Sequence, residues 1–196
     1  MTRMGGIVPT REPTGLLLVN LGTPDGPTAG QVRPYLREFL MDPRVIDLPA
    51  FRRWLIVNLF ILPRRPRQSA EAYRLIWTEE GSPLLTHGRA LTEKVQARMG
   101  DGVRVELAMR YGNPSIASAL ERFRNEGVRR IVVFPLYPQY SAAATGSTLD
   151  KVAVEAARLW DPPYLQIVPA FYDHPDFLAA FAEVARPVIA LSLIHI

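Results

Sequence analysis

Two segments of the chain concentrate side chains that could hold a ligand by its faces and edges. One is Asn20-Leu-Gly-Thr-Pro24; the other is Pro135-Leu-Tyr-Pro-Gln-Tyr-Ser-Ala-Ala-Ala-Thr-Gly-Ser147. In the second, Tyr137 and Tyr140 could lie against a flat apolar ligand, while Ser141, Thr145 and Ser147 could hydrogen-bond its polar rim. The same composition suits a rigid turn in which Tyr packs on a sheet and Ser or Thr caps a helix. Composition alone leaves both readings open. A phosphate loop is excluded, because the glycine–lysine spacing it requires is absent.

Three further groups of residues bear on chemistry. Arg64, Arg65 and Arg67 could grip a carboxylate or form a solvated basic patch. Of the three histidines, His87 stands beside Thr86 in a helical stretch, and His174 stands at a helix entry where it could also be a weak accessory metal ligand. His195 falls in the last residues. There is no cysteine, so disulfides, thiolate nucleophiles and Cys-held clusters are excluded within these residues.

The elements that position these residues follow from the pattern. An apolar run at 15–20 stops at Gly-Thr-Pro-Asp-Gly-Pro, which predicts a buried, central parallel strand. Helical spacing follows at 31–41, ended by Asp42-Pro43, then at 51–62, 69–77 and 84–99. After residue 100 the rhythm is regular, with strands at 103–109, 130–135 and 165–168. Helices separate them at 113–125 (capped by Asn-Pro-Ser), 148–160 and 175–185. This alternation predicts an α/β fold, a doubly wound parallel sheet, with ligands bound outside the carboxyl ends of its strands.

With 196 residues, 48% hydrophobic and 21% charged, the chain suits one well-cored domain and part of a second. Its net charge of +4 is spread along the sequence with acids interleaved. That favours a positively lined cleft or a face drawn to membrane, and gives no nucleic-acid signature. Residues 1–14 read as a flexible tail without a secretory core, so the cytoplasm is the default compartment. Residues 15–172 read as the domain, and 173–190 as a helix leading towards a further one. Residues 191–196 match the translation of CTG TCT CTT ATA CAC ATC, the end of a transposon-based sequencing adapter, and read as an artefact.

Several stretches resemble ferrochelatases. They are Leu18-Val-Asn-Leu-Gly-Thr-Pro-Asp25, Ala72-Tyr-Arg-Leu-Ile-Trp77 with Gly81-Ser-Pro83, Arg110-Tyr111, and Leu136-Tyr-Pro-Gln-Tyr-Ser141 with Thr145-Gly146. Any one of them is weak, but the ordered set is specific. The likeness is greatest to bacterial, protoporphyrin-type enzymes, in which two similar Rossmann-like domains enclose a cleft. It implies insertion of ferrous iron, a substrate, into a porphyrin to make haem. A coproporphyrin-type chelatase and a non-catalytic porphyrin-binding domain are the alternatives.

The resemblance assigns porphyrin contacts to Arg64 or Arg65, Tyr73 and Ser82, and places Leu21, Arg110, Tyr137 and Ser141 near the macrocycle. Guanidinium groups are suited to pair with propionates. It also matches the 51–62 stretch (Phe51, Trp54, Leu55 and 59–62, flanked by Arg52, Arg53 and Arg64) to an apolar lip, which could touch membrane if exposed; a buried helix fits the pattern equally. Too short to span a bilayer, it would make peripheral contact. Some relatives bind an iron–sulfur cluster through a cysteine at the position of Ala142, so no cluster and no tightly held cofactor is expected. The family's Ser-x-His-(Gly or Ser)-x-Pro motif and its later glutamate are absent from these residues. No catalytic residue is therefore assigned, and the chain alone is expected to be inactive in metal insertion.

Overall fold

The run after residue 13 becomes the strand around which everything else is laid. In the computed structural model, which describes residues 13–192, β1 (Thr14–Thr23) lies between β2 (Val103–Gly112) and β3 (Arg130–Pro135), and β4 (Tyr164–Ile167) closes the far edge. All three pairings are parallel. Leu18 sits opposite Leu107 on one side and Phe134 on the other.

A strand buried on both faces is apolar at successive positions, and β1 is. Leu17 and Val19 pack with Ile116, Leu120 and Phe123 of α5 (Ile116–Asn125) and with Val152 and Ala156 of α6 (Ser147–Ala157). Leu16 and Leu18 face the other way, joining Leu107, Met109 and Leu85 and Val95 of α4 (Pro83–Met99). Helices thus cover both faces, as the doubly wound pattern predicts. Full burial of one such Leu or Phe contributes roughly 1.5–3 kcal/mol before entropy is counted.

Before β2 come α1 (Ala29–Leu40), α2 (Ala50–Leu55) running into a π-helical turn (Ile56–Ile61), and α3 (Arg65–Ile76). After β3 a second π-helical turn (Ala142–Gly146) leads into α6, and α7 (Pro175–Ser192) follows β4.

Several boundaries differ from the sequence reading. β1 continues past Asn20 to Thr23, because Gly22 at φ +118° lets it keep pairing with Tyr111; a Cβ there would stand 1.9 Å from the Tyr111 carbonyl oxygen. α3 starts at Arg65, four residues before the predicted start, with Pro66 in its first turn. α5 is capped by the Ser115 hydroxyl, which accepts from the Ser118 N–H at 3.2 Å; Pro114 therefore precedes the cap. α7 is longer than 175–185 and carries Pro187 inside it. Its backbone includes residues 191 and 192, while the rest of the stretch read as an artefact, 193–196, and the tail at 1–12 lie outside the described residues. On α7, Phe181, Val184 and Val188 form an exposed apolar stripe.

Candidate functional site

In the strand order β2-β1-β3-β4 the winding direction switches between β1 and β3, and the crevice at such a switch is where open α/β sheets take ligands. Leu21 and the 136–141 loop lie there. Leu21 is half-buried near the end of β1, its N–H donating to the Asn20 side-chain oxygen at 2.8 Å. The Leu136 N–H donates to the Val19 carbonyl at 2.8 Å, tying the loop to the central strand.

Tyr137 is half-buried, its hydroxyl 3.3 Å from that of Thr148, and burial pushes its phenol pKa up. Ser141 is exposed and caps the π-helical turn, accepting from the Ala144 N–H at 3.1 Å. Tyr140 is 63% exposed. Ser147 and Thr145, read from sequence as further polar contacts, do not face outward. Both are buried: Thr145 Oγ1 has no hydrogen-bond partner among the described residues, and Ser147 is bonded inward. They lie on the first helical residues behind the loop, which turns their side chains into the fold.

A second group gathers around α3. Arg64 precedes the helix and Arg65 begins it; both are exposed, and neither meets a carboxylate among the described residues. Tyr73 lies eight residues beyond Arg65, about 12 Å along the axis. It is half-buried between Tyr35 and Trp77, edge-on to each with ring centroids 6.3 Å apart. Ser82 is buried at the start of α4, where its hydroxyl accepts from Thr23 at 2.8 Å and pins the end of β1. Nearby, the Tyr35 hydroxyl donates to the Gly22 carbonyl at 3.3 Å, and burial with the adjacent Tyr73 pushes its pKa well up.

Aromatic contacts join the two groups. From Trp77 and Tyr73 the chain of rings continues through Tyr35, stacked on Phe39, to Tyr111, whose ring centroid is 5.1 Å from that of Phe39. Tyr111 then enters a polar cluster that sequence reading missed. Asp42 Oδ2 accepts from Arg110, from the Tyr111 hydroxyl at 2.8 Å and from Ser147, while Oδ1 accepts from the Arg44 N–H at 2.7 Å. Burial alone would raise the Asp42 carboxyl pKa. Hydrogen bonds from Ser147, Arg44 and Tyr111, with the Arg110 charge, outweigh it and hold the group below the usual carboxylate range. Arg110 is therefore directed into the fold, its Nε also reaching Ser147 Oγ at 2.6 Å.

The 51–62 stretch is two-sided. Phe51 (74%), Leu59 (55%) and Phe60 (60%) are exposed and Trp54 is 44% exposed, whereas Val57 and Leu62 are buried. Arg53, read as an outer flank, is also buried and donates to the Ile46 and Leu48 carbonyls. It falls on the inner side of α2, facing the loop after α1.

A family model described as ferrochelatase matches residues 13–192. This chain belongs to the ferrochelatase family. It is 51% identical over 176 residues to the ferrochelatase of Alcanivorax borkumensis, covering 88% of this chain and 52% of that one. It is 50% identical over 179 residues to that of Thioalkalivibrio sulfidiphilus (89% and 48%) and 48% identical over 177 residues to that of Chromobacterium violaceum (88% and 49%). The chain spans about half the length of the curated relatives it matches. Among the described residues of this family member, no three His, Asp or Glu side chains gather as a metal site. His87 is exposed on α4, and His174 accepts from the Asp176 N–H at the start of α7. No described helix is long and apolar enough to cross a membrane.

Proposed function

We propose that this chain supplies the porphyrin-holding half of an enzyme that inserts ferrous iron into protoporphyrin. The reaction exchanges the two pyrrole N–H protons for Fe²⁺, giving haem and two protons. The observation that carries the reading is the pair Arg64 and Arg65, exposed and without carboxylate partners among the described residues, at the start of the helix that carries the half-buried Tyr73. A macrocycle needs an apolar wall and cations for its propionates, and α3 offers both within about 12 Å. In this reading Leu21, Tyr137 and Ser141 meet the macrocycle from the β1–β3 switch, while Ser82 and Arg110 act from within the fold, bonded to Thr23 and to Asp42. The residues that accept the pyrrole protons are not assigned to this chain. A second half would cover the exposed stripe on α7, consistent with the length of the relatives.

The exposed face of the 51–62 stretch, with Arg52, Arg64 and Arg65 beside it, fits peripheral attachment to the anionic surface of a membrane in which the apolar substrate partitions. The setting is then cytoplasmic and membrane-associated. No cysteine is available to hold an iron–sulfur cluster within these residues.

The test is a Soret-band titration of the purified chain with protoporphyrin and with its dimethyl ester. Weak binding of both is expected, without metal insertion above the uncatalysed rate. Replacing Arg64, Arg65 and Tyr73 together by Ala should weaken the dicarboxylate by about tenfold more than the ester, which has no charge for the arginines to meet. Equal losses would show that the arginines are only a solvated patch.

A further inference from the structure

The 137–147 segment, which carries Tyr137 and Ser141, is weakly held by its own side chains. Gln139, Tyr140, Ser141 and Ala142 are exposed. The Ser141 hydroxyl bonds within the segment, and Tyr137 reaches only to Thr148. Among the described residues, every side-chain hydrogen bond from the segment to the fold beyond Thr148 runs through Ser147. At Ser147 these bonds converge: its hydroxyl donates to Asp42, lies 3.1 Å from the Tyr111 hydroxyl and accepts from Arg110, whose Nε also meets the Ser147 carbonyl at 3.0 Å.

Asp42 is the centre of this arrangement. Its side chain is 3% exposed, and three donors from two other elements meet on one of its oxygens. A buried carboxylate surrounded this closely stays put, because each donor would be left unpaired in a low-dielectric interior if it moved. Asp42 stands just beyond α1, Arg110 and Tyr111 on β2, and Ser147 at the first turn of α6. Through Ser147 and its neighbour Thr148, the carboxylate reaches the Tyr137 hydroxyl.

We propose that Asp42 is a positioning residue, a buried latch that fixes the 137–147 segment through Ser147 and so sets Tyr137 against the porphyrin. The inference rests on the porphyrin reading above for its last step and on the hydrogen-bond geometry for the rest. Arg110 acts in it as a member of the latch, its charge directed at Asp42.

The experiment compares amide hydrogen exchange and Soret titration in Asp42→Asn, Ser147→Ala, the double variant and Glu126→Gln. Glu126 pairs with Arg104 at the surface, away from Asp42 and from 137–147, and serves as the control. Ser147→Ala should speed exchange across 137–147 by about tenfold while β1 and β2 peptides keep their protection. Asp42→Asn, which also leaves Arg110 without its carboxylate, should speed 137–147 by about tenfold beyond any acceleration in β1 and β2. The double variant should add little to either alone, since both cut one link. Protoporphyrin affinity should fall by about tenfold in both, and Glu126→Gln should change neither readout. Should Asp42→Asn fail to fold, Ser147→Ala tests the same link.

Unchanged exchange in 137–147 in both variants, or acceleration spread equally over 137–147, β1 and β3 in Ser147→Ala, would overturn the latch. If the unaltered chain shows no Soret change, the porphyrin reading fails by itself, and the exchange comparison still decides whether Asp42 holds the segment.

Discussion

Arg110 and Asp42, 68 residues apart, form an ion pair beneath the carboxyl edge of the sheet, with the two side chains only 11% and 3% exposed. Removing one partner of such a pair leaves the other charged and desolvated. Arg110→Ala should therefore cost about 3–5 kcal/mol. Arg104→Ala breaks a pair with Glu126 whose side chains are 52% and 38% exposed, and should cost at most about 1 kcal/mol. Urea midpoints of the two variants check this, and similar losses would show that the Asp42 pair is as well solvated as a surface bridge.

The same carboxylate imposes a pH dependence. Its pKa is lower folded than unfolded, so its contribution is fully present above the unfolded value of about 3.9 and is lost as pH falls through the folded value. Stability should hold towards pH 5 and fall steeply below about 4. In Asp42→Asn that acid limb should be shallower, although the variant is less stable at neutral pH. Urea midpoints between pH 7 and 3 measure both slopes; parallel limbs would assign the acid sensitivity to other carboxylates.

Glycines separate backbone necessity from chance. Gly22→Ala places a methyl carbon against the Tyr111 carbonyl at a φ of +118°, so the β1–β2 pairing must give way. A loss of several kcal/mol, about 3 or more, is expected. Gly30 lies exposed in α1, where a methyl group added to its Cα would meet nothing within 4 Å, and Gly30→Ala should raise stability by up to about 1 kcal/mol. Thermal melts of both variants give the comparison.

Those contrasts explain what could be read in advance. The four strands and their central member were legible because burial on both faces leaves a continuous apolar run, and the helices because their stripes repeat. The extension of β1 to Thr23 was not, since it depends on how closely Gly22 approaches Tyr111. The early start of α3 carried a signal in Pro66 that the basic run around it hid. Neither π-helical turn has a local signature. Asp42 followed by Pro reads as a helix stop, and nothing near it in sequence points to Arg110 or Ser147, which approach only when β2 and α6 are in place. Leu21 and Tyr137 stand at the carboxyl ends of β1 and β3 and Arg64, Arg65 and Tyr73 at α3, as motifs could locate them, but the cluster of Asp42, Arg110, Tyr111 and Ser147 is a product of topology.

The lip gives the last prediction. Phe51, Trp54, Leu59 and Phe60 are exposed on one side of a segment whose other side, at Val57 and Leu62, is buried. Burying two or three such side chains in a bilayer interface is worth a few kcal/mol, and nearby arginines add about 1 kcal/mol each near an anionic surface. Phe60→Glu with Trp54→Glu should abolish co-sedimentation with vesicles containing anionic lipid and leave the melting temperature nearly unchanged. Val57→Glu should instead destabilise the fold, because that side chain has no exposed surface. Raising salt should weaken binding of the unaltered chain without abolishing it, since screening removes the arginine contribution and leaves the apolar one. Vesicle binding that survives the double substitution would place the membrane contact elsewhere on the molecule.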